Sequence, residues 1–290
     1  MFPANFDYVC PASVAEAARF LNEHREQAKI LAGGQSLIPL LKLRLAAPQF
    51  VVDIGRLAEL RGIQESNGSL LIGSLVRHVD IEGSELLARA CPLLPETAAE
   101  IGDVQVRNRG TFGGSLAHGD PSADFPAAVL ALGASLSATS AEGQRTIAAE
   151  EFFTDLMTTA LRPNEILTSI HIPKHVPRTG SAYAKLHQQA SGFAIVGVAS
   201  VITLNAKGIV ENVRVGITGV GPVPYRARRV EEGLLGKAPA AREIQEASML
   251  AAGRMEPLSD LHASAEYRRE MAAVFTRRSL EKAAERAGDI

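Results

Sequence analysis

The sequence is poor in the residues that metal centres and disulfide frameworks need. It has two cysteines, Cys10 and Cys91, which lie far apart in the chain. An iron–sulfur cluster takes about four thiolate ligands, so this chain cannot hold one by itself. Two isolated cysteines do not indicate a disulfide framework either. His78 and His118 stand alone, without the spacing of paired metal ligands. We therefore expect no metal site in this chain and interpret both cysteines as ordinary thiols.

An excess of one charge and long apolar runs are missing too. The 290 residues carry a formal net charge of −2, which gives no general attraction to nucleic acid or anionic membranes. No apolar run approaches the roughly 20 residues of a membrane span. The N-terminus lacks a basic region followed by an apolar stretch, so no secretory signal is visible. These absences favour a cytoplasmic protein, and export together with a partner subunit is the alternative.

Two short loops in the sequence pair glycines with hydroxyl residues. The first, A-G-G-Q-S-L at 32–37, follows an apolar run. The second, T-F-G-G-S at 111–115, lies in the glycine-rich stretch 101–126, which offers little to build a core. Paired glycines let a ligand approach backbone N–H groups without an intervening Cβ, and consecutive N–H groups can form a nest for a phosphate. One such loop is most simply a surface turn, but two suggest two amide nests that face one diphosphate.

Better-known motifs do not fit these loops. A P-loop needs a Lys-Ser or Lys-Thr pair after its last glycine, and neither loop has one. The nearest Rossmann-like fingerprint, at 216–221, runs into two prolines that prevent the following helix, so we interpret it as the end of a strand. Ser115, His118 and Asp120 include the residue types of a hydrolase triad but are too close in sequence and lack a G-x-S-x-G elbow. A dinucleotide would therefore bind through a non-Rossmann fold.

Hydrophobic periodicity predicts a mixture of helices and strands. The predicted helices cover residues 13–24, 36–41, 92–101, 127–132, 241–253 and 265–287. The predicted strands cover residues 29–32, 50–54, 61–63, 70–73, 135–138, 145–147, 165–173, 193–204 and 209–218. A Pro/Gly/Ser-rich linker at 175–181 separates two predicted domains, 1–175 with lobes 1–55 and 56–175, and 176–290. Arginine clusters at 226–229, 268–269 and 277–278 are interpreted as solvated faces, with a subunit interface as the alternative.

The two loops and their flanks carry a resemblance to a known family. The segment A-G-G-Q-S-L-I-P-L-L-K-L-R at 32–44, with Q-V-R-N-R-G-T-F-G-G-S-L-A-H-G-D-P-S-A-D-F-P at 105–126, resembles the FAD-binding medium subunit of the molybdenum hydroxylases. These are the relatives of carbon monoxide dehydrogenase and xanthine dehydrogenase, and the resemblance covers essentially the whole chain. It implies an α+β protein with the two-lobed FAD-binding fold of the vanillyl-alcohol oxidase (PCMH) type. A small C-terminal α+β domain with an antiparallel sheet would follow.

The resemblance also implies a function. A medium subunit of this family is an oxidoreductase subunit that takes electrons from the [2Fe–2S] clusters of a small partner and passes them to an external acceptor. Substrate chemistry takes place on a large molybdenum-bearing subunit, and the complex is expected to be a dimer of heterotrimers. The chain itself offers no convincing general base, so no catalytic residue is predicted. A stand-alone flavin oxidase or reductase is one rival, and a non-enzymatic module that binds another anion is the second.

The same resemblance assigns FAD-binding residues. They are Ala32, Gly33, Gly34, Gln35, Ser36, Leu37, Ile101, Thr111, Gly113, Gly114, Ser115, Asp124, Leu167, Lys185 and Phe193. Some of these residues have simpler readings. Asp124 could cap a helix, Leu167 could be a core residue, Lys185 could be a solvated charge, and Phe193 could be a buried strand residue. Some medium subunits carry histidine where this chain has glutamine in the first loop, so FAD is predicted to bind without a covalent link.

Overall fold

The computed structural model describes residues 2–66, 68–174 and 176–288. The segment between the predicted strands 61–63 and 70–73 includes Asn67, and the predicted domain boundary falls at His175. Both residues lie outside the described part of the chain.

The first lobe is a parallel sheet with helices beside it. It contains β1 (Asp7–Val9), α1 (Val14–His24), β2 (Ala28–Leu31), α2 (Leu37–Lys42) and β3 (Phe50–Asp53). The strand order is β1-β3-β2, and β3 pairs in parallel with both neighbours. Ser13 caps α1 by accepting a hydrogen bond from the N–H of Glu16 at 3.2 Å. A parallel pair needs a crossover connection, so α1 and α2 follow from the strand order, and β2 delivers the chain into the first glycine loop.

The second lobe is built on a five-stranded antiparallel sheet. Its strands are β4 (Ile63–Ser66), β5 (Ser69–Gly73), β6 (Ser135–Ser140), β7 (Gly143–Ala148) and β10 (Ile166–Pro173), with a small pair β8 (Phe153–Asp155) and β9 (Thr158–Thr159). Its helices are α3 (His78–Glu82), α4 (Glu85–Ala90), α5 (Leu93–Ala99), α6 (Val104–Arg109), α7 (Phe112–His118), α8 (Phe125–Leu132) and α9 (Ala149–Phe152). The order β4-β5-β10-β6-β7 places β10 at the centre, so the last strand of the lobe closes the sheet.

The stretch 101–126 is more ordered than its glycines predict. It forms α6 and α7 instead of one open loop. The expectation that it contributes almost nothing to a core is wrong, because Phe112, Leu116 and Phe125 are fully buried. Phe112 and Leu116 are four residues apart and therefore share one face of α7. The rings of Phe112 and Phe125 pack with centroids 4.6 Å apart. This packing anchors the second glycine loop to the core of the lobe.

The C-terminal part is a four-stranded antiparallel sheet covered by helices. Its elements are β11 (Thr179–His187), β12 (Ala194–Leu204), β13 (Val210–Thr218), β14 (Tyr225–Arg226), α10 (Arg228–Leu234), α11 (Ala241–Ser248) and α12 (Ala265–Gly288). The strand at β11 was not predicted, and it begins inside the predicted linker. Gly180 belongs to this strand, and a Cβ on it would lie 2.0 Å from the carbonyl oxygen of Ala283 in α12. The glycine is thus required by close packing of the helix on the sheet.

One helix joins the second lobe to the C-terminal sheet. All eight residues of α8 are buried, and the helix packs against β12 and β13. Gly216 in β13 lies against this helix, since a Cβ on it would lie 2.1 Å from the carbonyl oxygen of Ala127. Gly216 lies in β13, which ends at Thr218, so the Rossmann-like glycines do mark a strand end as predicted. The sheet and the second lobe therefore share a tightly packed boundary.

Two of the arginine clusters are not simply solvated faces. Arg226 pairs with Glu231 at 2.6 Å and with Glu150, and its side chain is largely buried. Arg268 is buried and donates to the carbonyl oxygens of Ile195 and Gly219. These arginines tie loops and helices of the C-terminal part together. Of the helices within the described residues, none has both the length and the apolar character that crossing a membrane requires.

Candidate cofactor-binding site

A cavity of about 710 Å³ brings together residues from all parts of the chain. Its walls include both glycine loops, the start of α8, the β9–β10 connection and the loop before β12. Every residue assigned to FAD from the sequence lines this cavity except Lys185. Volumes of about 300–1,000 Å³ are usual for small-molecule and cofactor sites. Residues that are distant in sequence thus form one site, although their contact with FAD stays a prediction.

The first glycine loop presents unsatisfied backbone donors. Gly34 has a φ of +76°, in the left-handed region where glycine is favoured. Among the described residues no acceptor is found for the N–H groups of residues 33 to 37. A carbonyl of this loop, in contrast, accepts a hydrogen bond: the N–H of Ile38 donates to the oxygen of Gly34 at 3.1 Å. A row of free N–H groups on a cavity wall is suited to bind an anion.

The second loop does not present a matching nest. The N–H groups of Phe112 and Gly113 donate to the carbonyl oxygens of Val76 and Ser74, at 2.8 and 2.9 Å. The next two donors, on residues 114 and 115, are satisfied by the side chain and the carbonyl of Thr111. Thr111 is therefore the N-cap of α7. The prediction of two amide nests facing one diphosphate needs correction, since in the second loop the N–H groups of residues 112 to 115 are all bonded within the protein.

The glycines of both loops are needed for contacts within the protein. A Cβ on Gly33 would lie 2.2 Å from the carbonyl oxygen of Arg109, and one on Gly113 would lie 2.8 Å from the backbone of Ser74. Both neighbours are main-chain atoms, which cannot move aside like a flexible side chain. The first loop therefore packs directly on the turn that precedes the second. Close approach of two backbones, rather than of a ligand alone, explains why these positions are glycine.

Asp124 faces the cavity from the start of α8. It occupies the N-cap position, but its backbone is helical and its side chain makes no capping bond. Instead Oδ1 accepts a hydrogen bond from the hydroxyl of Tyr183 at 2.6 Å. The Nζ of Lys185 lies 2.8 Å from Oδ1 and 2.9 Å from Oδ2. Burial raises the pKa of the Asp124 carboxyl, and Lys185 and Tyr183 oppose that rise. The helix-capping interpretation of this residue is wrong.

Lys185 lies behind Asp124 and not on the cavity surface. Its ammonium group is fully buried and also donates to the carbonyl oxygen of Glu100 at 2.8 Å. The interpretation as a solvated charge is therefore wrong. Lys185 does not line the cavity, and its predicted place beside a flavin stays a prediction. It contacts the cavity only indirectly, through the carboxylate of Asp124, which does line it.

Leu167 and Phe193 form apolar parts of the wall. Leu167 lies in β10, is 5% exposed and belongs to the core cluster of the second lobe as well as to the cavity. Its two interpretations are thus compatible. Phe193 precedes β12 and is 47% exposed, so the interpretation as a buried strand residue is wrong. Its ring is available to a ligand at the edge of the cavity.

Two cavity residues were missed by the sequence analysis. Ser74 directly follows β5 and His78 is the first residue of α3, and both are buried. Among the described residues, Ser74 Oγ and His78 Nδ1 have no hydrogen-bond partner. Burial, with a smaller effect of Arg107, lowers the pKa of His78 to about 4. The imidazole is therefore neutral at pH 7. No motif surrounds either residue, and only the contact with the second loop brings them to the site.

The donor set fits FAD. One wall has free backbone N–H groups, which suit a diphosphate. Another has a carboxylate with further acceptor capacity, which suits a hydroxyl or N–H group. Leu167 and Phe193 supply apolar surface for an aromatic ring. Buried polar atoms without a partner, on Ser74 and His78, are consistent with a ligand that completes their hydrogen bonding.

Comparison with known families divides the chain in two. Residues 4–175 match the family model described as the FAD binding domain in molybdopterin dehydrogenase. Residues 181–283 match the model of the CO dehydrogenase flavoprotein C-terminal domain. Together these matches include all the residues assigned to FAD from the sequence.

Individual relatives match over nearly their whole length. The chain is 38% identical over 283 residues to the carbon monoxide dehydrogenase medium chain of Hydrogenophaga pseudoflava, covering 98% of each. It is 36% identical over 287 residues to the 6-hydroxypseudooxynicotine dehydrogenase complex subunit alpha of Paenarthrobacter nicotinovorans, covering 99% of this chain and 97% of that one. A solved chain of carbon monoxide dehydrogenase from Hydrogenophaga pseudoflava, in a form that lacks the Mo-pyranopterin moiety, superposes with a TM-score of 0.95. It shows 40% identity, and 99% of each chain is covered.

Proposed function

The chain belongs to the FAD-binding medium subunits of the molybdenum hydroxylases, and we propose from this premise that it transfers electrons from an iron–sulfur partner to an external acceptor. It is an oxidoreductase subunit of a multi-subunit enzyme. The observation that carries the proposal is the cavity, which is lined by Asp124 and by residues 33 to 37, whose N–H groups have no acceptor among the described residues.

We propose a separate task for each wall of the cavity. The N–H groups of residues 33 to 37 bind the diphosphate of FAD, and the backbone of the second loop shapes the space beside it. Asp124 accepts a hydrogen bond from a hydroxyl or N–H group of the cofactor. Leu167 and Phe193 pack against its ring system. Bound FAD would supply the redox chemistry, because a flavin can take electrons singly and release a pair, while the protein provides position and electrostatics.

The remaining parts of the proposal concern the assembly. The partners are a small [2Fe–2S] subunit and a large molybdenum subunit, arranged as a dimer of heterotrimers in the cytoplasm. The domain division at residue 175 is supported by the two family models, since the first ends at residue 175 and the second begins at residue 181. The relatives are named after different substrates, so the substrate belongs to the large subunit in this proposal. The medium subunit supplies a common route for electrons.

Flavin reduction by substrate is expected to require the partner subunits. The purified chain with bound FAD, mixed anaerobically with N-heterocycles, aldehydes or carbon monoxide, should keep its oxidised flavin absorption. The complete complex should bleach with its own substrate, which identifies that substrate in the same experiment. Dithionite, which reduces flavins chemically, is the control that the flavin is competent. Rapid bleaching of the isolated chain by any of the substrates would favour the stand-alone flavin enzyme.

FAD is expected to be released by acid. The first loop has Gln35 on the cavity wall, and an amide side chain forms no covalent bond with a flavin. Precipitation with trichloroacetic acid should therefore leave all of the flavin in the supernatant, measured by its absorption. Flavin that remains in the washed pellet, and that migrates with the polypeptide on a denaturing gel, would contradict a non-covalent site.

A further inference from the structure

Behind the cavity, a tyrosine holds the carboxylate that faces the cofactor space. Tyr183 lies in β11, is 5% exposed and does not line the cavity. Its hydroxyl donates to Oδ1 of Asp124 at 2.6 Å. Lys185, two residues along the same strand face, reaches both carboxylate oxygens. Two donors from one rigid strand thus fix Asp124, which lies on a different element, at the start of α8.

The neighbouring strand leaves room for the hydroxyl. Gly197 in β12 pairs with Lys185 across the sheet. A Cβ on Gly197 would lie 2.3 Å from the Tyr183 hydroxyl oxygen and 3.2 Å from its Cζ. Any other residue at 197 would push the phenol away from Asp124. The position of the hydroxyl therefore depends on an absent side chain in the next strand.

We propose that Tyr183, with the space left by Gly197, is a positioning residue that holds Asp124 as a hydrogen-bond acceptor for FAD. The inference rests on the proposed place of FAD in the cavity. An ionised carboxylate has about four lone-pair sites, and the bonds from Tyr183 and Lys185 leave acceptor capacity on the cavity side. A lysine ammonium can only donate, so Lys185 favours the ionised form of Asp124 and opposes the rise in its pKa that burial causes.

The positioning role has a consequence for the pH dependence of FAD binding. Charged and titratable groups around Asp124 are Tyr183, Lys185 and His187 from β11, with Glu100 next to them. Without the tyrosine hydroxyl, one interaction that lowers the pKa of Asp124 is lost, so that pKa rises. Protonated Asp124 loses part of its acceptor capacity. FAD affinity should therefore begin to fall at a higher pH in a Tyr183→Phe protein than in wild type. His187 is present in both proteins and cancels in the comparison.

The experiment measures the FAD dissociation constant of the full chain between pH 5 and pH 8, from the quenching of flavin fluorescence. Tyr183→Phe is expected to weaken binding about tenfold at pH 7.5, the low end of what one hydrogen bond to a charged group contributes, and by more at lower pH. The matched control is Tyr225→Phe. Tyr225 is also largely buried in this sheet, but its hydroxyl donates to the carbonyl oxygen of Ala251 at 3.1 Å, away from the cavity. This control should leave both the affinity and the pH profile unchanged.

Two further variants separate the possible failures. Asp124→Asn tests whether the residue contacts FAD at all. Weaker binding in Asp124→Asn, with Tyr183→Phe indistinguishable from Tyr225→Phe, would overturn the positioning role alone. Unchanged binding in Asp124→Asn would overturn the inference together with the assignment of Asp124, while the substrate-reduction test of the proposed function is unaffected by either result.

Gly197→Ala should weaken FAD binding more in wild type than in Tyr183→Phe, because the second protein has no hydroxyl to displace. Equal effects in the two backgrounds would also count against the inference.

Discussion

Replacing Gly34 with valine is expected to strip the protein of FAD while its fold is retained. Gly34 has a φ of +76°, a conformation that is a genuine outlier for a β-branched residue and costs an L-residue about 1–2 kcal/mol. The new Cβ would also lie 2.6 Å from Cδ1 of Ile38, the end of a flexible side chain. The backbone can relieve this strain by turning to negative φ, and that turn redirects the free N–H groups of the loop.

The expected loss of affinity is large. A hydrogen bond to a charged group contributes about 1.5–3 kcal/mol. Loss of two such bonds to the diphosphate would weaken FAD binding by roughly a hundredfold to ten-thousandfold. We therefore expect the Gly34→Val protein to be purified nearly colourless, with the flavin content per chain measured from its absorption spectrum. Circular dichroism should show that the secondary structure is unchanged.

Gly208→Val is the matched control for backbone strain. Gly208 has a φ of +74° in the turn between β12 and β13, and no heavy atom of the described residues lies within 4 Å of its Cβ position. Gly208→Val therefore introduces the same backbone strain at a position outside the first loop. Both variants should lose similar thermal stability once flavin has been removed, but only Gly34→Val should lose flavin. A Gly34→Val protein with full flavin content would show that the first loop does not bind the diphosphate.

Replacing Lys185 with methionine is expected to destabilise the fold strongly at neutral pH. The ammonium group of Lys185 is fully buried, and the Asp124 side chain is 5% exposed. Breaking a buried ion pair by removing one partner typically costs about 3–5 kcal/mol, because a buried charge is left without its counterion. Methionine has nearly the length of lysine, so little of this loss comes from an empty space. Denaturant unfolding at matched flavin content measures the difference.

The stability lost in Lys185→Met is expected to depend on pH, because the pKa of Asp124 changes with the substitution. Without Lys185, burial raises the pKa of Asp124 further above its unfolded value of about 3.9. A carboxyl whose folded pKa is raised stabilises the fold below the unfolded pKa, and that contribution is lost as the pH rises through the folded pKa. Relative to wild type, Lys185→Met should therefore be weakest at neutral and higher pH and should approach wild type as the pH falls toward 4. A remaining difference is expected from the lost bond to the Glu100 carbonyl.

A second substitution tests whether the unpaired charge is the cause. Asp124→Asn combined with Lys185→Met has no buried charge at this position, so it should be more stable than Lys185→Met alone at pH 7.5 and nearly independent of pH. The double-mutant cycle gives the coupling between the two residues. A stability loss in Lys185→Met that is equal at pH 5 and pH 8, and that Asp124→Asn does not relieve, would instead indicate a packing defect.

The sequence by itself determined the identity of the family and most elements of the fold. Its two glycine loops, with their flanking residues, were enough to indicate an FAD-binding medium subunit, which the family models confirm. The helix at α1 and the long strands β12 and β13 were also predicted close to their observed bounds. Such features are local, because a cap, an amphipathic period or an alternating strand depends on residues within a few positions of each other.

Only the tertiary structure decided which groups can bind a ligand. Both glycine loops look alike in sequence, yet the N–H groups of Phe112 and Gly113 are satisfied by the carbonyls of Val76 and Ser74, while those of residues 33 to 37 have no acceptor in the described part of the chain. The surroundings of Asp124, at the start of α8, likewise depend on Tyr183, whose hydroxyl reaches it from β11 of the C-terminal sheet. A residue type fixes what a group can donate or accept, but its partner is supplied by a distant segment that folding brings to the same place.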